Sequence, residues 1–295
     1  MRKLLGTLTG FLAGALMVAG AASPLLAQPG VSSEMVSFTA ATLRGTGTAV
    51  RGELRMPEAG SGALPAVLVL HTSAGSSGDR ISSHYIDRLN RAGIATLRIS
   101  MFPDSRSRPG STRDVLPHTF GSLLFLTQHA RVHPKRIGVL GFSYGGVMAL
   151  VMASDELVQE YTGDKAKFAA HLALYPVCST HLKILAGANP VYGASIYQRV
   201  TGAPVHVLAG ELDTYDEPDS CPKFIAALRE DVRKHFATTV YPGAHHVFDE
   251  PGANRQHREL SARHGVAVIR YNADAAEKAW AFAVQFFSEN LATKN

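Results

Sequence analysis

Cysteine is scarce in this sequence, with two in 295 residues, too few for the bonded framework of a small secreted scaffold or for a four-cysteine zinc site. Charged residues are sparse as well, at 18% against 46% hydrophobic. That balance excludes a disordered or fibrous chain and argues for a large core. No repeat of fixed period is present, and low complexity is confined to the first residues. No glycine-rich loop ends in Lys-Ser or Lys-Thr, and no Gly-x-Gly-x-x-Gly follows the first strand-like run, so a nucleotide cofactor has no support. His-Glu-x-x-His spacing is also missing. His71, His245 and His246 are the histidines that would gather near the motif described below, but serine chemistry needs no metal, and none is expected. The formal net charge of +5 falls to +3 once the first 27 residues, which carry Arg2 and Lys3 and no acid, are set aside. That is too weak a field to argue for nucleic acid.

What is present begins with "MRKLLGTLTGFLAGALMVAGAASPLLAQ": two cations, an uncharged apolar stretch, then small residues. This is the order of a secretory signal peptide, with cleavage expected after Ala27. A transmembrane anchor is the rival reading, since the stretch is long enough to span, but its glycine and threonine lower its apolarity. Export would leave no membrane-bound segment and would place the mature chain in an oxidising compartment, periplasmic or extracellular. Cys178 and Cys221 are then candidates for one disulfide, two separate buried thiols being the alternative.

From residue 28 to 295 the pattern reads as a single α/β domain. "EMVSFTA" and "TAVRGELRMP" alternate as two antiparallel strands with one side in water. Strand-like "ALPAVLVLHT", "IATLRIS", "RIGVLGFS", "FAAHLALYPV", "APVHVLAGELD" and "ATTVYPG" then alternate with helix-like stretches. Among the latter, "GGVMALVMASDELVQEY" and "CPKFIAALREDVRKHF" are each read as one helix. Such alternation demands right-handed crossovers and a mainly parallel sheet with helices on both faces. Reactive groups in these sheets gather at the carboxyl ends of the strands. The final helix carries Ala276, Trp280, Val284 and Phe287 at helical spacing, a stripe expected to pack on the sheet.

Between an apolar run and a helical one lies "GFSYG", Gly141 to Gly145. It matches Gly-x-Ser-x-Gly, the sharp strand-to-helix turn that exposes a serine oxygen in a strained backbone. Chance alone supplies roughly 0.2 such matches in a chain of this composition, so the flanks, not the motif, carry the reading. A hydroxyl is a poor nucleophile until a base takes its proton and an acid orients that base. In the order serine, acid, histidine, the candidates are Ser143, then Asp213 at the end of "VHVLAGELD", then His246 in "YPGAHHVFD". Asp216 and Glu211 compete for the acid, and His245 for the base. Adjacent residues in an extended segment point opposite ways, so only one of the two histidines can reach Ser143. The oxyanion would be met by the backbone N–H of Tyr144 and by a second donor from the loop "LHTSAGSSGD", at Thr72 or Ser73.

On "LPAVLVLHTSAG", "RIGVLGFSYGG", "LYPVC", "VLAGELDTYD", "YPGAHHVFD" and "AWAFAVQFFSENL", the chain resembles the dienelactone hydrolase family of the α/β-hydrolase superfamily over about residues 61–291. The resemblance implies the α/β-hydrolase fold and a Ser143–Asp213–His246 triad, its His-x-Phe pairing favouring His246. The enzymes that name the family carry cysteine at the nucleophile position; serine here implies a serine esterase-like relative, without a cofactor, acting on a small-molecule ester or lactone. The resemblance further suggests that Cys178 and Cys221 meet at the active edge and brace the loop carrying Asp213. A prolyl oligopeptidase-like peptidase is one alternative, although no propeller-sized segment precedes the catalytic part. A non-catalytic binding protein on the same fold is the other.

Overall fold

The computed structural model describes residues 30–44, 46–58, 62–102 and 110–293; the expected leader, 1–27, lies outside them. Two antiparallel strands open the fold, β1 (Val31–Ala41) and β2 (Thr46–Pro57). There follow β3 (Leu64–Leu70), α1 (Ser82–Arg91), β4 (Ala95–Ile99), α2 (Leu116–Gln128), β5 (Val132–Phe142), α3 (Tyr144–Val151), α4 (Asp155–Thr162), β6 (Ala170–Leu174), α5 (Cys178–Leu185) and β7 (Val205–Gly210). The chain ends with α6 (Ser220–Ala227), α7 (Glu230–Arg233), β8 (Phe236–Tyr241), a hairpin of β9 (Asn254–Arg258) and β10 (Val266–Arg270), and α8 (Ala273–Asn290).

The eight-stranded sheet runs β1-β2-β4-β3-β5-β6-β7-β8. β1 and β2 pair antiparallel, as do β2 and β4, and every pairing from β4 to β8 is parallel. The period of two in each strand divides the core between the faces. Ala66, Leu68 and Leu70 of β3 pack with α2, α3 and α4 through Leu123, Met148 and Leu157. Val67 and Val69 face α1 and α8 through Ile86, Leu89, Trp280 and Phe287. Each wholly buried Leu, Ile, Val, Met or Phe among them contributes about 1.5–3 kcal/mol. Of the expected stripe on α8, Ala276, Trp280 and Phe287 are buried and Val284 packs half-buried beside them.

Two stretches expected to be single helices are each broken. After α3 the chain leaves helical geometry at Ser154 (ψ 127°), whose hydroxyl accepts from Leu157 N–H at 3.4 Å. Asp155 and Glu156 follow in the first turn of α4, complementing its dipole. Ser154 also bridges to Val200, so a tertiary contact and a local cap override the helical periodicity. Between α6 and α7 the chain becomes extended at Leu228 and Arg229, which lets Leu228 and Val232 both reach the core.

Candidate active site

β3 and β5 bring their carboxyl ends together because they are neighbours in the parallel sheet, and β5 turns into α3 at Ser143. That residue lies at φ 49°, ψ −108°, outside the regions a side chain ordinarily tolerates. The turn is pinned from three sides: Ser143 N–H donates to Leu174 O at 2.9 Å, Val147 N–H to Ser143 O at 2.9 Å, and Gly145 N–H to His71 O at 3.2 Å. A Cβ on Gly141 would lie 2.0 Å from Gly145 O, and one on Gly145 would lie 2.4 Å from Leu70 O. The two glycines are therefore what allow strand, turn and neighbouring strand to touch.

The structure brings the three expected residues together. His246 Nε2 lies 2.9 Å from Ser143 Oγ, and His246 Nδ1 lies 2.7 Å from Asp213 Oδ2. With Nδ1–H donating to a carboxylate that can only accept, Nε2 is left as the acceptor for the serine hydroxyl. Asp213 Oδ1 accepts from Tyr215 N–H at 2.8 Å, and the Tyr215 ring covers the imidazole with centroids 4.4 Å apart. Asp213 and His246 are both buried, while Ser143 remains half-exposed. The order of burial fits a hydroxyl that must meet a substrate while its partners are shielded from water.

The competitors have other partners. Asp216 accepts from Ser179 N–H and Glu217 N–H, tying the acid loop to the start of α5, and burial above all holds its carboxyl above the usual range. Glu211 accepts from Gly243 N–H at 2.8 Å, joining the loops after β7 and β8. His245 is half-buried and held below the usual imidazole range, first by burial and then by Arg270. Cys178 and Cys221 form a disulfide that joins α5 to α6 across the loop carrying Asp213 and Asp216. Those two sulfurs and the Asp216 carboxylate are close enough to share an ion, but the sulfurs are committed to each other. With 43 residues of separation, the bond is expected to contribute about 2–4 kcal/mol, largely by restricting the unfolded chain. Melting the oxidised protein beside the Cys178→Ala/Cys221→Ala variant measures it; equal midpoints would contradict the estimate.

Sequence reasoning missed the hairpin of β9 and β10, which holds both halves of the site. Arg263, between its strands, donates through its backbone to Thr214 O at 2.9 Å and through its guanidinium to Asp216 O at 2.9 Å and Glu217 at 2.8 Å. Val268 N–H reaches Thr214 Oγ1 at 3.1 Å, and Ile269 of β10 bridges to His246 itself. The alternating "VAVIR" was the available signal, but it stands isolated among polar residues.

The loop expected to supply a second oxyanion donor lies against the serine turn through the His71 carbonyl. His71 Nε2 accepts from Met101 N–H at 3.0 Å, so its Nδ1–H donates to Thr72 O at 2.7 Å. Burial lowers its pKa, keeping the ring neutral for this double role. Thr72 is half-buried and Ser73 exposed, in a turn closed by Gly75 N–H on Thr72 O. Tyr144 opens α3, whose positive dipole end adjoins Ser143. Beside Tyr144 a cavity of about 400 Å³ is lined by Val147, Thr112, Thr180, Asn189 and Tyr192 among others. Among the described residues no helix is long and apolar enough to cross a membrane.

Comparison with known proteins agrees with this architecture. A Bradyrhizobium protein named "Probable 2-oxo-3-(5-oxofuran-2-ylidene)propanoate lactonase" is 25% identical over 203 residues, 64% of this chain and 75% of that one. The structure of Thermogutta terrifontis esterase 2 phosphorylated by paraoxon superposes with a TM-score of 0.62 at 15% identity, covering 88% of this chain and 96% of that one. Est1E from Butyrivibrio proteoclasticus gives 0.58 at 16% identity, with 87% and 99% covered. At these identities the superpositions speak for the fold alone. Residues 101–291, well over half the chain, match the dienelactone hydrolase family, and the chain accordingly belongs to that family of α/β-hydrolases, as a hydrolase of ester or lactone bonds.

Proposed function

We propose that the chain is an exported serine esterase that cleaves a carboxylic ester or lactone through an acyl-enzyme. Ser143 Oγ attacks the acyl carbonyl while His246 Nε2 takes its proton. The imidazolium returns that proton to the departing alcohol, and water, activated by the same nitrogen, then frees the acid. Asp213 fixes the tautomer and faces the imidazolium charge. The Tyr144 N–H and a second amide at Thr72 or Ser73 meet the oxyanion, where each donor is worth about 10²–10³ in kcat.

The observation that carries this reading is the pair of hydrogen bonds from Ser143 through His246 to Asp213, on a serine whose backbone is held out of its normal range. The cavity beside Tyr144 is of a size that takes a small organic group. The lactonase relative supports a cyclic ester among the substrates, and the paraoxon-phosphorylated esterase supports covalent chemistry on this fold. A fluorophosphonate probe should label Ser143 in the wild type and leave Ser143→Ala unlabelled. Absence of labelling in the wild type would refute the reading and favour a binding protein.

A single domain from residue 28 onward, preceded by a cleaved leader, completes the proposal; the disulfide supports an oxidising compartment. Expressed with its own N-terminus in a secreting host, the mature protein should begin at Gln28. A mature protein still starting at Met1 would contradict the leader.

A further inference from the structure

The turn that carries His246 also carries an acid that the reaction above does not use. Asp249 is fully buried. Its Oδ2 accepts from Tyr85 Oη of α1 at 2.5 Å and its Oδ1 from Tyr175 Oη, just past β6, at 2.8 Å. Tyr175 in turn stands edge-on to the His246 imidazole, centroids 5.0 Å apart, with its backbone at φ 40°.

A carboxylate sunk this deep is costly unless a cation or strong donors meet it. The groups that face it are phenols and an imidazole: Tyr85 from α1, Tyr175 from the end of β6, Tyr241 from β8 and His246 from its own turn. The nearby formal charges are engaged elsewhere. Arg88 lies over the Trp280 ring and within 3.4 Å of Glu277, Glu250 pairs with Arg255 at 2.6 Å, and Asp79 holds the first turn of α1 through Ser82 N–H. Burial, more than any other cause, lifts Asp249 to about 6 and drives Tyr85 and Tyr175 well above the usual phenol range. The phenols therefore stay protonated as donors, and the carboxyl is the group that changes charge near neutrality.

We infer that Asp249 is a positioning residue for the proposed reaction: ionised, it is a second buried anion beside His246, and through Tyr175 it holds the imidazole for the transfer from Ser143. This rests on the reading of Ser143 and His246 given above. Charge is what separates the role from packing. Asparagine has the same shape and can accept from one phenol while donating to the oxygen of the other, so Asp249→Asn keeps the framework and deletes the anion.

The signs follow. An ionised Asp249 favours a positive charge on the neighbouring imidazole, and its removal takes that support away. Tyr85→Phe instead removes a hydrogen bond that favours the ionised carboxyl, so Asp249 takes up its proton at higher pH. Tyr85 is packed against Phe142 and Trp280, contacts that phenylalanine retains.

The test measures kcat and KM for p-nitrophenyl acetate across about pH 4–9, using the full-length wild type, Asp249→Asn and Tyr85→Phe. Asp249→Asn should lose about tenfold in kcat with KM little changed, and its acid limb should move to lower pH. The acid limb of Tyr85→Phe should move to higher pH. A wild-type profile in Asp249→Asn, or shifts of both variants in one direction, would overturn the inference. Should the asparagine variant not fold, the direction of the Tyr85→Phe limb decides. NMR titration of the His246 ring in Ser143→Ala, with and without Asp249→Asn, separates this inference from the proposed function. A lower imidazole pKa on loss of Asp249 supports the inference even if no ester is turned over, and an unmoved pKa rejects it even if the esterase reading holds.

Discussion

Ser143→Ala is expected to lower kcat on an activated ester by about 10⁴–10⁶-fold while the melting midpoint stays close to that of the wild type. The reason is local. The hydroxyl makes its contact with His246 Nε2, and the hydrogen bonds that pin the turn belong to backbone groups that alanine keeps. Alanine at φ 49° bears the same backbone strain as serine, so the variant neither gains nor loses from it. His246→Ala should cost about as much, and the double variant little more than either alone, because the two groups act as a unit. Steady-state turnover with active-site titration checks this. A Ser143→Ala protein with more than a hundredth of the wild-type rate would remove the serine from the chemistry.

Gly145→Ala is expected to lose about 3 kcal/mol or more of stability, as an overpacked core position does at its worst. Its new methyl would lie 2.4 Å from Leu70 O and 2.8 Å from His71 O. Both are backbone atoms, and Leu70 belongs to the central strand β3, so neither can step aside without moving the sheet. Gly62→Ala is the matched control, since nothing lies within 4 Å of its added carbon. Chemical denaturation of the two variants beside the wild type gives the difference. If Gly145→Ala unfolded at the same denaturant concentration as Gly62→Ala, the close approach at the turn would not exist.

Much of this architecture was legible in the chain because it is written in local periodicity. The buried runs of β3 and β5, the alternation of β1 and β2, and the flanks of Ser143 each carry their signal within about ten residues. The order serine, acid, histidine also singled out Asp213 at the end of one strand-like run and His246 in the loop after another, near the edge where a parallel sheet collects side chains. What could not be read is tertiary in origin. The break at Ser154 depends on Val200, and the break before α7 on two residues turning to the same core. The hairpin of β9 and β10 is stabilised by what it touches, the loops holding Asp213 and His246, and not by its own exposed first strand. Asp249 gave no hint at all, since its partners Tyr85 and Tyr175 are 164 and 74 residues away.

That hairpin has an evolutionary consequence. It stands apart from the eight-stranded sheet, so its outward side chains can vary without cost to the core, yet Arg263 holds the loop that follows Asp213 and Ile269 bridges to His246. Substitutions there would tune how fast the enzyme works before they alter whether it folds. A mutational library aimed at changing turnover while sparing thermal resistance would do well to begin with the exposed residues 254–258.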